Sequence, residues 1–228
     1  MSRILYDLAM ADEDIRPSPF CWLAKFALLH KELAFETQPL RLAEKEKYPD
    51  PEHGRVPMLQ DGDELICDSR KIIAYLDAEY RDKPLAATKG EYAAADFLSG
   101  WVTLALFPAL GPMIIPHVFL ASHPDDHEYF RSSREERIGM TLEEYGATPN
   151  AKSMAETALK MLALPLTRRK FLGGDNPNLC DYTAFAPFIW QRVVIGEGPY
   201  ETPQPVGAWQ ERMLDLFDGY ARKAKTVA

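Results

Sequence analysis

The stretch IRPSPFCWLAKFALLHKEL, Ile15–Leu33, places a serine, a proline and a cysteine at the mouth of a helical pattern. Phe20, Leu23, Ala24, Ala27 and Leu28 fall on one stripe of a 3.6-residue repeat. Ser18 is a preferred N-cap, and Pro19 suits the first helical position because its missing N–H would find no partner there. Upstream, RILYDL (Arg3–Leu8) reads as a short strand. Downstream, AFETQPL (Ala34–Leu40) returns to strand character. A strand–helix–strand unit predicts a parallel pair with a right-handed crossover. After the polar, proline-bearing AEKEKYPDPEHG, the run VPMLQDGDELIC reads as two strands joined at Asp61-Gly62, a dipeptide that type I′ hairpins favour. DSRKIIAYLDAEY closes this half as an amphipathic helix with Ile72, Ile73, Leu76 and Tyr80 inward.

The second half carries no strand pattern. RDKPLAATKGEY is a linker into a helix capped by Thr88 with Glu91. Helical spacing then continues, with breaks predicted at Pro108, Gly111-Pro112 and Pro116, and at FLGGDNPN. Thr148-Pro149 reads as a cap followed by proline at the first helical position. A small α/β domain over residues 1–85, followed by an all-α helical bundle over residues 86–228, is the architecture expected.

Bulk properties set the boundaries of function. The chain has 228 residues, 46% of them hydrophobic and 26% charged, which suits a packed core. A net charge of −8 argues against a general nucleic-acid surface, which needs clustered cations. No apolar run is read as approaching the roughly 20 residues that span a bilayer, and the N-terminal MSRILYDLAM carries Asp7 and no small-residue cleavage site. Cys21, Cys67 and Cys180 are odd in number and widely spaced, so neither a disulfide framework nor a metal site is expected. A reduced, cytoplasmic protein follows.

Three helix or strand starts carry the chemistry. Ser18 sits where backbone N–H groups point outward and the helix dipole is positive, so an anion such as a thiolate is stabilised there. Its plain reading is a cap alone. Cys21 reads as a small buried residue or as a reactive thiol in SPFC. Val56-Pro57 starts a strand; a cis bond there would present the Val56 N–H and C=O to an extended peptide, whereas a trans proline at a strand start is the ordinary alternative. Asp68-Ser69 opens another helix; beyond capping it, Ser69 and the helix amides suit a carboxylate, and Asp68 an ammonium group. A ligand with a thiol, a peptide link and an α-amino acid end fits all three points, and glutathione is such a molecule. Tyr6, inside the alternation of Ile4, Tyr6 and Leu8, reads as a core tyrosine. His117, His123 and His127 straddle Pro124 without metal-ligand spacing and read as a solvated loop.

In this order, SPFCW helix, RVPML, DS helix, linker, helical domain and FLGGDNPNLCDYTAF, the chain resembles the cytosolic glutathione transferases. Asn178 before Asp181 stands where that family's internal capping motif usually has Ser or Thr. Ser18, Pro19, Phe20 and Trp22, with Lys25, Ala27, Leu28, His30 and Lys31, Arg55-Val56-Pro57, Asp68-Ser69 and Leu172–Asp175, resemble the etherase-like branch of bacterial β-etherases and related fungal transferases. The resemblance implies a thioredoxin-like domain plus a helical bundle. Glutathione would be a co-substrate lying across Ser18, Arg55, Val56, Pro57, Asp68 and Ser69, with Ser18 catalytic and no metal. It further implies a hydrophobic, aromatic electrophile in a pocket of Phe20, Trp22, Phe107, Met113 and Phe119, with aryl ether cleavage among the activities, a detoxifying role and a homodimer. Two other functions stay open: a glutathione-dependent thiol–disulfide reductase using Cys21, and a non-catalytic ligand-binding protein.

Overall fold

The computed structural model describes residues 3–227. Four strands, β1 (Arg3–Leu8), β2 (Glu36–Leu40), β3 (Met58–Asp61) and β4 (Glu64–Cys67), form one sheet in the order β2-β1-β3-β4. β2 runs parallel to β1, while β3 is antiparallel to both β1 and β4. The helices α1 (Pro19–His30) and α2 (Ser69–Glu79) belong to this half. This is the expected thioredoxin-like arrangement.

One face of the sheet contributes Leu5 and Leu59 to the main core. The opposite face packs Tyr6, Met58, Leu65 and Cys67 in a smaller cluster with Leu40 and Tyr48. The period-2 alternation of strand side chains produces this division. It places Tyr6 in packing, on the face away from the main core.

The hairpin turn differs from the sequence reading. Asp61 pairs with Glu64, so the two loop residues are Gly62 and Asp63. Gly62 has φ of +60° and Asp63 does not have positive φ. That is the type II′ pattern, with glycine at the first loop position, rather than type I′, which requires positive φ at both.

The second half is helical: α3 (Lys89–Trp101), α4 (Phe107–Ala121), α5 (His127–Ile138), α6 (Leu142–Gly146), α7 (Ala151–Leu166), α8 (Leu179–Ile195) and α9 (Gln204–Gly219, with non-helical φ/ψ at Leu216–Asp218). Thr88 caps α3 as expected, accepting from the Glu91 N–H. α7 starts later than predicted, with Asn150 as its N-cap residue; Thr148 instead donates its hydroxyl to the Tyr145 carbonyl.

The predicted proline breaks do not occur. Lys89–Ala121 runs as one helical rod of 33 residues through Pro108, Pro112 and Pro116. A π-helical segment, Val102–Leu106, precedes the prolines and shifts the hydrogen-bond ladder ahead of them. The prolines recur every fourth residue, so the carbonyls they free at i−4 lie along one side of the helix. By length and composition this rod could cross a membrane, contrary to the sequence reading. Its inner residues Leu106, Ala109, Leu110 and Ile114 are fully buried in the bundle core.

The two halves meet along α1 and α8. Phe26 stacks on Tyr182 with ring centroids 5.5 Å apart. Leu85 is fully buried in the segment between α2 and α3, and its carbonyl accepts from the Leu179 N–H. His30 adds a titrating joint. Its Nε2 lies 3.3 Å from the Pro84 carbonyl, which can only accept, so Nε2 carries the proton and Nδ1 accepts from the Tyr182 hydroxyl at 2.7 Å. Burial holds its pKa below the ordinary histidine value of 6.5. The unfolded chain therefore takes up this proton first. The stability His30 contributes is complete above that ordinary value and declines as pH falls below it. Urea titrations at neutral and mildly acidic pH are expected to lose part of this acid sensitivity in His30→Gln. An identical pH dependence in both proteins would refute the assignment.

Candidate functional site

The sheet topology brings the three sequence-predicted starts to one end. Tyr6 pairs with Met58, and Met58 pairs with Cys67. The carboxyl ends of β1 and β4 and the amino end of β3 therefore lie side by side. From them issue the Ser18 loop, the Val56-Pro57 turn and the Asp68-Ser69 helix start.

Ser18 caps α1 with φ −66° and ψ 117°, and Pro19 opens the helix. Its Oγ accepts from the Cys21 N–H at 3.3 Å, and its carbonyl accepts from the Trp22 N–H at 3.0 Å. The Phe20 N–H has no partner among the described residues, while the Ser18 hydroxyl hydrogen lies within reach of the Cys21 sulfur and can turn from it to the helix tip. Both can donate to an anion at the helix tip, where the dipole adds to their effect. Ser18 is buried, yet it borders a cavity of about 610 Å³.

The Val56-Pro57 bond is cis. The Val56 N–H and C=O make no hydrogen bond among the described residues, while the Pro57 carbonyl accepts from Asp68 N–H at 3.1 Å. Asp68 adopts φ 85° and ψ 134°, a region costly for a residue with a side chain. Its carboxylate caps Arg70 N–H at 2.9 Å and is otherwise exposed. Ser69 is buried at the first position of α2. Arg55 is exposed and makes no ion pair among the described residues.

Cys21 is fully buried and does not border the cavity. Burial, with the Asp7 charge behind it, pushes its thiol well above its ordinary pKa. A reactive thiolate needs exposure and positive surroundings, and Cys21 has neither in this structure.

The cavity lies between the halves. Leu8, Pro17, Ser18, Pro19 and Phe20 form one wall, and α4, α5, α6 and α8 supply the other through Phe107, Ile115, Phe130, Tyr145 and Trp190. Phe20 is half-exposed at the cavity edge and packs on Phe107 at 5.8 Å. Three residues assigned to this pocket from sequence lie elsewhere. Trp22 is turned into the core, its indole donating to the Arg16 carbonyl at 2.8 Å and packing edge-on to Tyr220. Phe119 packs on His127 and Phe130, and Met113 lies against the main core. His127 begins α5 and His117 sits on α4, so neither is in a loop.

Sequence reasoning missed Thr103, Arg134, Arg137, Tyr145 and Trp190, which also border the cavity. Arg134 and Arg137 sit in the charged run HEYFRSSREERI, which by composition reads as a solvated face. No group of His, Cys, Asp and Glu suited to a metal occurs among the described residues.

Comparison with known proteins agrees with this organisation. Residues 14–84 match the glutathione S-transferase N-terminal domain, and residues 93–220 match the glutathione S-transferase C-terminal domain. Glutathione S-transferase U22 of Arabidopsis thaliana is 26% identical over 190 residues, covering 79% of this chain and 75% of the relative. The structure of glutathione transferase GSTFuA2 from Phanerochaete chrysosporium is 26% identical with a TM-score of 0.73, covering 96% of this chain and 93% of that one. The glutathione S-transferase CsGST63524 of Ceriporiopsis subvermispora, solved in complex with glutathione, shares the fold at 23% identity and a TM-score of 0.71, over 97% of this chain and 94% of that one.

Proposed function

The chain belongs to the glutathione S-transferase family, and from that premise we propose that it conjugates glutathione to an apolar electrophile held in the cavity beside Ser18. The observation that carries this reading is the capped α1 tip bordering an apolar cavity, where the Phe20 N–H is unengaged and the Ser18 hydroxyl can turn from Cys21 toward a ligand. Glutathione lies across the sheet end in this proposal. Its backbone pairs with Val56 beside Pro57, its γ-glutamyl carboxylate meets Ser69 and the α2 amides, and its ammonium meets Asp68. Arg55 reaches its glycyl carboxylate.

The donors stabilise the thiolate, whose sulfur forms a bond to the electrophilic carbon. The bond from that carbon to the leaving group breaks, and the electron pair departs with a halide or an aryl oxide. An aryl ether is one such substrate, which keeps the etherase-like reading within the proposal, and removal of electrophiles is the biological role it suggests. We place the protein in the cytoplasm as a homodimer. The outward Phe97 and Leu104, both strongly exposed and seven residues apart on the α3–α4 rod, support a covered face there.

Calorimetric titration with glutathione, followed by turnover of chlorodinitrobenzene, tests the reading. Micromolar to millimolar binding and conjugation are expected, and Cys21→Ser is expected to retain both. Failure of glutathione to bind would overturn it. Disulfide reduction that disappears in Cys21→Ser would favour the reductase instead.

A further inference from the structure

The cavity wall opposite Ser18 carries charge with nothing to balance it. On α5, Phe130, Arg134, Arg137 and Ile138 follow the i, i+4, i+7, i+8 spacing of one helix face, and all four border the cavity. The outward arginine of this helix, Arg131, is held at 2.8 Å by both Glu135 and Glu143. Arg134 and Arg137 make no ion pair among the described residues. The one described side-chain hydrogen bond of Arg134 goes to Ser133 Oγ at 2.8 Å, and its guanidinium lies 4.5 Å from the Phe130 ring centroid. Burial and the like charge of Arg137 push Arg134 down to about 10, so it remains a cation at neutral pH.

A partly desolvated cation is costly unless an anion meets it. The remaining surroundings are apolar, with Phe20, Phe107 and Trp190 along the cavity. Tyr145 adds one more donor. Its hydroxyl lies against Gly111, where a Cβ would clash with it, and has no hydrogen-bond partner among the described residues. Burial raises its pKa, so it stays protonated. A guanidinium fork and a phenol over aromatic walls match an aromatic body ending in a planar anion.

We propose that the second substrate is an aryl or arylalkyl carboxylate, its electrophilic carbon at the Ser18 end and its carboxylate on Arg134, with Arg137 and Tyr145 beside it. This rests on the transferase reading for the electrophile, while the carboxylate preference is a binding property that can be measured apart from turnover.

Calorimetry on the full chain, with and without glutathione, compares naphthoate with naphthamide, which have the same shape but exchange a charged acceptor oxygen for a neutral NH2 group. Naphthoate is expected to bind at least about 10-fold tighter, as charge-assisted hydrogen bonds imply. Arg134→Gln should erase that preference, and Arg134→Lys should keep part of it. In turnover, the kcat/KM ratio of chloromethylbenzoate to chloromethylbenzamide should fall by a similar factor in Arg134→Gln. Equal binding of the two naphthyl ligands by the unaltered protein overturns the inference without any variant. So does a preference that survives Arg134→Gln, or a loss confined to glutathione affinity, which would assign Arg134 to a glutathione carboxylate. If glutathione does not bind and no electrophile, chlorodinitrobenzene included, is conjugated while the naphthoate preference stands, the transferase reading fails and the anion site does not.

Discussion

Ser18→Ala is expected to lower the turnover number by about 10²-fold and to raise the pKa of the bound glutathione thiol by at least about one unit, toward the free thiol value near 8.5. The reason lies in the division of labour around one oxygen. Ser18 Oγ accepts the Cys21 N–H, which commits a lone pair to the helix, while its hydrogen can serve either the buried Cys21 sulfur or an anion in the cavity. Alanine removes both functions. The loss of the cap costs about 1 kcal/mol of stability, too little to explain a hundredfold loss of rate in a protein that remains folded. Thiolate ultraviolet absorbance against pH, with and without the substitution, separates the two effects. Ser18→Thr, which keeps a hydroxyl at the same position, should restore most of the rate. An unchanged thiol pKa in Ser18→Ala would remove Ser18 from the chemistry and leave the Phe20 amide and the dipole as the only stabilisers.

Asp181→Ala is expected to be the most destabilising single change, on the order of 3–5 kcal/mol. Asp181 is fully buried at the third position of α8 and accepts four hydrogen bonds. Leu172 N–H and Trp209 Nε1–H reach one carboxylate oxygen at 2.7 and 2.9 Å; Gly173 N–H and Asn178 N–H reach the other at 2.8 and 3.1 Å. The bond to Asn178 N–H closes the capping box, while the others tie α8 to the turn before it and to α9. Alanine leaves all four donors without their carboxylate, the Trp209 indole in the core and the three turn amides part-buried. Gly173 is part of the same device, since a Cβ there would lie 2.7 Å from the Asn176 carbonyl oxygen. For a chain of this length the loss corresponds to roughly 10 °C in Tm. Thermal and urea unfolding would measure it. Trp209→Phe, which withdraws one donor and keeps the ring, is expected to cost far less. A cost for Asp181→Ala below about 1 kcal/mol would mean that water replaces the carboxylate, and that the box does not hold the turn.

Much of this arrangement is written in short-range patterns. Ser18 with Pro19, Asp68 ahead of Ser69 and Asn178 with Asp181 are N-terminal signals complete within a single helical turn. At these three starts the cap is decided by which side chain can reach an amide two or three residues away, so the signal is local, although Thr148 offers the same signal and caps nothing among the described residues. The strand–helix–strand order is legible for the same reason.

The Gly62-Asp63 turn marks the limit of that reading: Asp61-Gly62 fits one turn type by composition, but pairing of Asp61 with Glu64 across the hairpin sets the register. The proline-rich α4 is a similar case. Its prolines signal breaks, and the π-helical segment ahead of them with packing in the bundle keeps the helix whole.

The cavity is another matter. Every residue of α1 from Cys21 to Leu28 is buried, so an apolar stripe there cannot say which side meets a ligand, and Trp22 turns to the core while Phe20 reaches the opening. Arg134 and Arg137 look like any other charges on a polar helix until α5 is docked. By itself the sequence determined the order of strands and helices in the first half and the capped starts at which an anion can rest, because each depends on atoms a few residues apart. Only the tertiary structure decided which side chains share the cavity and which cations lack a partner, because that depends on how distant helices face one another.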